Sequence, residues 1–144
     1  MLTVNILRQV TPEHSERIDE LLHRLDPAVP HVDKERLARL VEDGRISLYI
    51  AENQEHVIMG MLTLTSCPTL SRDKYWIEDV IVDEAFRGLG VGRALVEAAV
   101  AYIKKKEGLP VLYLTSNPSR TAARSLYLSA GFEEYETGVF RLKR

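Results

Sequence analysis

Cysteine is almost missing from this sequence, which has a single one, Cys67, in 144 residues. A single cysteine cannot form an internal disulfide, and without a Cys-x-x-Cys pair or a Cys/His cluster the chain lacks a structural zinc motif. The four histidines, at positions 14, 23, 31 and 56, also lack the spacing of metal ligands, and we interpret them as surface residues. The sequence therefore predicts a protein without a metal, in a reducing compartment.

Long apolar runs and a strong charge of either sign are also absent. No run of about 18 apolar residues occurs, so no membrane span is predicted, and the first residues, MLTVNILRQV, lack the apolar core of a signal peptide. Nineteen Lys and Arg face 21 Asp and Glu, a formal net charge of −2, whereas nucleic-acid-binding domains are strongly basic. We therefore expect a cytoplasmic protein that binds neither membranes nor nucleic acids, and any anion site must be local.

The composition is that of one globular domain. Hydrophobic residues make up 45% of the chain and charged residues 28%, which is close to the average of soluble domains. No low-complexity segment, linker or internal repeat divides the sequence. At this length we expect a single domain over residues 1–144.

Hydrophobic periodicity predicts alternating strands and helices. The predicted strands cover residues 3–10, 46–52, 57–66, 75–83 and 110–115, with a final pair at 132–142. Helices are predicted after the caps Thr11 and Asp33, over 90–106, and over 119–130. The order β-α-α-β-β-β-α-β-α-β-β predicts an α/β fold, a twisted mixed sheet with helices on both faces.

The sharpest motif is the glycine turn, Arg87-Gly88-Leu89-Gly90-Val91-Gly92, between a central strand and a long helix. Glycines let a ligand approach the backbone, and the helix N-terminus favours an anion, which would also compensate the unfavourable Arg93 in the first helical turn. The dinucleotide pattern G-x-G-x-x-G fails, because position 93 is arginine, and the Walker pattern is absent. A phosphate-bearing ligand is predicted, and a purely structural tight turn remains the alternative.

The same turn carries a resemblance to a known family. R-G-L-G-V-G matches the Q/R-x-x-G-x-G/A signature, and the sequence resembles the GNAT superfamily of acyl-CoA-dependent N-acetyltransferases. WIEDVIVDEAFRGLGVGRAL resembles strand 4 and helix 3 of that fold, and residues 117–132 resemble its Asn…Ala…Tyr…Gly-Phe run. The matched segments cover about residues 74–132.

The resemblance implies acetyl-CoA as cosubstrate. Backbone groups of Val80, Ile81 and Val82 would pair with its pantetheine arm, and Asn117 would contact the pantetheine or adenosine side. Amides of the turn would bind the pyrophosphate, namely those of Arg87, Gly88, Leu89, Gly90, Val91, Gly92 and Arg93. Tyr127 would protonate the departing thiolate, and a phenol of pKa about 10 is a usable acid toward a thiol of about 8.5. A core tyrosine is the alternative reading of Tyr127.

Two carboxylates, Glu78 and Asp79, lie in an otherwise apolar strand. Strand alternation places their side chains on opposite faces, and a carboxylate in such a strand needs a partner or a use. A protonated amine must lose a proton before it can attack a thioester, so a base is expected. Glu78 matches the position where some family members place that base or an amine-binding carboxylate. A structural ion pair is the alternative for Glu78 and the preferred interpretation of Asp79.

We therefore predict an enzyme, an acyltransferase that transfers an acetyl group from acetyl-CoA to a primary amine of a small molecule in a ternary complex. No covalent intermediate is expected, since Cys67 lies beside Pro68 without a matching His or Asn signature. The alternatives are a protein-lysine or N-terminal acetyltransferase, or a non-catalytic acyl-CoA-binding sensor. A nucleotide-binding domain is disfavoured by the glycine spacing, and a homodimer is common in families that the sequence resembles.

Overall fold

A five-stranded sheet forms the centre of the protein. The computed structural model describes residues 1–144, and the strands lie across the sheet in chain order. The first three neighbouring pairs are antiparallel and the last pair is parallel. The strands are β1 (Thr3–Ile6), β2 (Ile46–Glu52), β3 (Ile58–Pro68), β4 (Asp73–Val82) and β5 (Val111–Tyr113). The predicted mixed sheet, with its antiparallel hairpin of the second and third strands, is confirmed.

Four α-helices connect the strands. They are α1 (Pro12–Leu25), α2 (Lys34–Glu42), α3 (Val91–Lys104) and α4 (Thr121–Ser129), and a single 3-10 turn covers Glu84–Phe86. The first two helices begin at the predicted caps, since Thr11 and Asp33 accept hydrogen bonds from backbone N–H groups of the first turns. No helix combines the length and apolarity that crossing a bilayer requires.

Helices cover both faces of the sheet, because successive strand residues point to opposite sides. Tyr49 and Ala51 of β2 pack in one hydrophobic cluster with Leu95 of α3. Leu48 and Ile50 of the same strand pack in the second cluster, with residues of α1 and α2. The predicted α/β architecture is confirmed, and the two cores fix β4 between α1 on one face and α3 on the other.

The chain after α4 differs from the prediction. Residues 130–144 contain no helix or strand, so the pair of strands expected at 132–142 is not formed. Val139, Phe140 and Leu142 have strand-forming or apolar side chains, yet they are between 75% and 98% exposed. A strand needs a partner as well as local propensity, and the neighbouring edge strand, β5, is only three residues long.

A partly buried ion-pair network joins α1 to the end of β4. The Asp83 carboxylate, 8% exposed, accepts hydrogen bonds from Arg17 at 2.5 Å and from Arg24 at 2.7 Å. One of its oxygens also accepts the backbone N–H of Ala85 at 3.0 Å. Arg17 additionally donates to the Ile58 carbonyl at the start of β3, at 2.8 Å and 3.1 Å. The network holds α1 against the ends of the two central strands.

Replacing Asp83 with alanine should lower the free energy of unfolding by about 2 to 4 kcal/mol, because both guanidinium groups lose their shared acceptor. The Arg17 hydrogen bond and then the Ala85 N–H lower the pKa of Asp83. The stabilisation is therefore present above the ordinary aspartate pKa of about 3.9 and lost as the pH falls through the lower folded value. Urea unfolding at neutral and acidic pH measures both effects.

Asp43→Ala is the matched control for that experiment. Asp43 is 55% exposed and lies 3.9 Å from its only arginine partner, Arg45. Its replacement should change the stability by no more than about 0.5 kcal/mol. Equal losses in the two variants would show that the Asp83 network contributes nothing beyond an exposed ion pair.

Candidate functional site

A groove of about 470 Å³ runs along the carboxyl-terminal half of β4. The end of α1 forms one wall and α4 forms the other. Its lining includes six of the residues that the sequence predicted for the site: Val80, Ile81, Val82, Arg87, Gly92 and Tyr127. Residues more than 40 positions apart therefore meet at one surface, as the predicted binding site requires.

The groove exists because β4 and β5 are paired over only part of their length. Their parallel register covers Lys74 to Trp76 of β4, opposite Val111 to Tyr113 of β5. From Ile77 to Val82, β4 has β3 on one side and no strand on the other. Backbone groups on that free edge can pair with an extended ligand, in the manner of an added strand.

A bulge in β4 lies next to the groove. Asp79 has a φ of +50°, which is uncommon for a residue other than glycine, and the pairing register with β3 shifts between Met61 and Thr63. Gly60 of β3 permits the close approach of the two strands there, because a Cβ at this position would lie 2.8 Å from the Ile81 carbonyl oxygen. The sequence analysis did not identify Gly60, although an isolated glycine inside a strand pattern is a signal for a bulge.

The glycine turn presents a row of free donors at the end of the groove. Gly88 and Gly90 have φ values of +79° and +80°, the left-handed conformation that glycine adopts readily. The six successive backbone N–H groups from residue 88 to residue 93 make no hydrogen bond to the chain, and the first α3 bond is from the Ala94 N–H to the Gly90 carbonyl. The helix dipole adds positive potential at this point, so the turn can bind an anion.

The side chains of the glycine turn point to different surroundings. Val91 is 2% exposed and anchors the first turn of α3 in the core, whereas Leu89 is 65% exposed. Arg87 lines the groove. Arg93 does not line it and instead donates to the Ser129 hydroxyl at 3.0 Å, with Glu97 at 3.7 Å. The turn thus offers backbone donors and one arginine to the groove.

Tyr127 lies on the α4 wall of the groove and is 7% exposed. Burial raises the pKa of its phenol, and the positive charge of Arg120 acts weakly in the opposite direction. The hydroxyl therefore keeps its proton across the neutral range and can donate it to a strongly basic group formed in the groove.

Glu78 and Asp79 do not follow the prediction of opposite, apolar faces. The positive φ of Asp79 breaks the two-residue alternation, and both residues are exposed. Partial burial of the carboxyl still raises the pKa of each residue, and the charge of Asp79 raises that of Glu78 further. Neither side chain lines the groove with Tyr127.

Asn117 also lies outside the groove lining. Its side-chain oxygen accepts the backbone N–H and the hydroxyl of Ser119, both at 2.9 Å. Such a turn is a common local use of asparagine. The side-chain oxygen is thus engaged in shaping the loop between β5 and α4.

Several groove residues were not identified from the sequence. Arg24 and Leu25 form the α1 wall, and Glu84, Arg120, Ala123 and Leu126 complete the lining. Leu25 belongs to the apolar stripe of α1 yet is 42% exposed, because it faces the groove. The charged side chains of the lining are three arginines and one glutamate. The groove is therefore locally cationic, although the chain has a net charge of −2.

Comparisons with known proteins identify the family of this chain. The acetyltransferase (GNAT) family model matches residues 12–132. An N-alpha-acetyltransferase from Sulfurisphaera tokodaii is 33% identical over 92 residues, which are 64% of this chain and 53% of that protein. The chain thus spans about half the length of this curated relative.

Solved structures share the fold. An acetyltransferase from Trypanosoma brucei has a TM-score of 0.80 and 26% identity, with 100% of both chains covered. AAC(6')-Iy, in complex with the bisubstrate analogue CoA-S-monomethyl-acetylneamine, has a TM-score of 0.76 and 23% identity, with 100% of this chain and 99% of that one covered. The family model spans most of the sequence, and the chain therefore belongs to the GNAT family of acetyltransferases, acyltransferase enzymes that use acetyl-CoA.

Proposed function

We propose that the protein is an N-acetyltransferase that transfers the acetyl group of acetyl-CoA to a primary amine of a small molecule. The amine attacks the thioester directly, in a ternary complex. The observation that carries this proposal is that the free edge of β4, the glycine turn and Tyr127 border one groove. A thioester ligand with a long amide-containing arm and a pyrophosphate needs these three features in this arrangement.

The pantetheine arm binds along β4 in this proposal. Its amides pair with backbone groups of Val80, Ile81 and Val82, on the edge that β5 leaves open after Trp76. The apolar side chains of Leu25 and Leu126 border the same groove and exclude water from the arm. A backbone N–H of β4 then polarises the thioester carbonyl.

The pyrophosphate binds at the glycine turn. Its oxygens accept hydrogen bonds from the free N–H groups between residues 88 and 93, and Arg87 adds a positive charge at the same end of the groove. Asn117 contacts the pantetheine or adenosine side through its amide nitrogen, since its oxygen is engaged by Ser119.

Proton transfers complete the reaction. Glu78, or a water that it orients, takes the proton of the attacking amine, and Tyr127 gives its proton to the departing thiolate. The exposure of Glu78 outside the groove favours the route through water. Asp79 is the neighbouring carboxylate that could replace it. Cys67 takes no part, because it lies exposed near the far end of β3.

The acceptor has a second candidate. The name of the Sulfurisphaera relative, N-alpha-acetyltransferase, favours transfer to a protein N-terminus. Acetylation assays with small primary amines, and with peptides whose N-terminus is free or blocked, distinguish the two acceptors. Absence of transfer to any of them, with acetyl-CoA still bound, would favour an acyl-CoA-binding sensor.

We also propose that the protein forms a homodimer through the segment after α4. Tyr135, Val139, Phe140 and Leu142 are between 70% and 98% exposed there, and large exposed apolar patches commonly mark interfaces. The mass in solution, measured by light scattering, tests this proposal, and a strictly monomeric protein at high concentration would contradict it.

Replacing Gly90 with leucine should weaken acetyl-CoA binding at least about 100-fold, since a side chain at a φ of +80° strains the turn and displaces its N–H groups. Calorimetric titration of the wild type should detect binding of acetyl-CoA and CoA, and none of ATP or NAD. Gly44→Leu is the matched control, because Gly44 has a φ of +68° and lies outside the groove. Equal affinities of the two variants would contradict the placement of the pyrophosphate.

Tyr127→Phe should lower kcat by about 100-fold or more, because the thiolate then leaves without its acid. Binding of acetyl-CoA should remain within a factor of about 2, since the ring and its packing are kept. Tyr135 is exposed, so Tyr135→Phe is the control and should leave kcat and the affinity for acetyl-CoA unchanged. If Tyr127→Phe matched the wild type at every pH, the acid would have to be another group.

Glu78→Gln should lower kcat/KM and remove the limb of the pH profile on which the rate rises with pH. A base works in its deprotonated form, and burial together with Asp79 raises the pKa of Glu78, so that limb lies above the ordinary carboxyl value of about 4.3. Asp79→Asn should shift the limb to lower pH without removing it. If Asp79→Asn alone abolished the limb, Asp79 would be the base.

A further inference from the structure

A cluster of two histidines and one aspartate lies where α1 meets the segment 26–33, the connection between α1 and α2. The Asp19 carboxylate faces Nδ1 of His31 at 2.7 Å and accepts the backbone N–H of Val32 at 2.7 Å. The rings of His23 and His31 stack, with centroids 4.2 Å apart and an angle of 26° between the planes. Side chains of α1 thus contact His31 and Val32 of the segment.

Both ring nitrogens of His23 face backbone carbonyl oxygens. Nδ1 lies 2.7 Å from the Asp19 carbonyl oxygen, and Nε2 lies 3.0 Å from that of Val29. A carbonyl oxygen can only accept a hydrogen bond, so each nitrogen must carry a proton to satisfy its partner. The neutral ring has one N–H, and only the imidazolium satisfies both contacts.

We propose that His23, as an imidazolium, is a positioning residue that holds the segment 26–33 against α1 and thereby fixes the α1 wall of the groove. The wall consists of Arg24 and Leu25, which directly follow His23. The segment begins at the next residue, Asp26, whose backbone N–H closes the last turn of α1 on the Leu22 carbonyl. Release of the segment therefore loosens the turn that carries the wall.

The surrounding charges stabilise the protonated ring. Asp19, on α1, and Asp26, in the segment, are the anions that act on His23, and His31 is the titratable group stacked on it. The hydrogen bond to the Asp19 carbonyl is the largest cause that raises the pKa of His23. A raised folded pKa means that the contribution is complete below the ordinary histidine value of about 6.5 and is lost as the pH rises through the folded value.

The same three side chains have the composition of a transition-metal site, since one ligand atom from each lies within 4.8 Å of the others. A metal, however, needs an unprotonated nitrogen from each histidine. Both nitrogens of His23 are directed at carbonyl oxygens within 3.0 Å, and binding a metal there would break one of these contacts. The contacts of His23 therefore fit a ring that is protonated at both nitrogens better than a ring that binds a metal.

Nitrogen NMR of the histidine rings in the free wild-type protein tests the protonation directly. His23 should show two protonated ring nitrogens at pH 6 and should lose one of them above the ordinary histidine range. Amide hydrogen exchange over the segment 26–33, corrected for the intrinsic pH dependence, should accelerate several-fold through the same transition. A ring with one proton at pH 6, or exchange without this transition, would overturn the proposal.

His23→Gln gives the second readout. In this variant the amides of the segment 26–33 should exchange several-fold faster than in the wild type at pH 6. Their exchange should show no pH-dependent transition, and exchange in α3 should stay unchanged. His56→Asn is the control, because His56 is exposed in a turn at a φ of +60° that asparagine tolerates, and it should retain the wild-type transition. Micromolar Zn²⁺ binding that requires both His23 and His31 would instead identify a metal site and overturn the proposal.

The proposal about His23 deepens the proposed function, since the wall belongs to the acetyl-CoA groove, yet its primary tests use the free protein. If the groove binds acetyl-CoA, the affinity should fall several-fold through the His23 transition in the wild type and stay constant in His23→Gln. A protein that binds no acetyl-CoA would contradict the proposed function and leave the ring and exchange measurements valid.

Discussion

The divergence of β4 from β5 is the constraint on which the site depends. The two parallel strands share only three paired positions, ending at Trp76 and Tyr113, and a groove opens beyond them. A fully paired β4 would satisfy its own backbone and leave nothing for a ligand, since buried backbone groups are almost always paired. The bulge at Asp79 and the close approach permitted by Gly60 alter the course of β4 along the same stretch. The glycine turn then places unpaired N–H groups at the end of the groove.

The remaining wall depends on electrostatic contacts made by α1. Asp83 holds the helix through Arg17 and Arg24, and Arg24 also lines the groove. Arg24 therefore belongs both to the partly buried ion-pair network and to the lining of the groove. The two sets of contacts respond to pH in opposite directions, because the carboxylate of Asp83 is lost in acid, whereas the imidazolium proposed for His23 is lost in base. The α1 wall is thus held best between these limits.

Local patterns predicted the parts of the fold that local chemistry decides. The caps at Thr11 and Asp33, the antiparallel hairpin of β2 and β3, and the glycine turn all follow from residues close in sequence. The Asp83 contacts span 59 and 66 residues, so no local pattern reveals them. The bulge changed the environment of Glu78 and Asp79, and its sequence signal, Gly60, lies in the neighbouring strand β3 and not beside these two residues. The prediction of strands at 132–142 was wrong for a related reason. The apolar residues there indicate a preference for the strand conformation, but they do not show whether a neighbouring strand is available for pairing.

Amide chemical shifts recorded during a titration of the isotope-labelled protein with acetyl-CoA test the central claim most directly. Every residue reports on its own surroundings, so the experiment locates the ligand as well as detecting it. The account predicts the largest changes at Val80 to Val82 and at residues 88–93, with saturation at one ligand per chain. Changes centred elsewhere, with these two stretches unaffected, would contradict the account and leave only the family's fold.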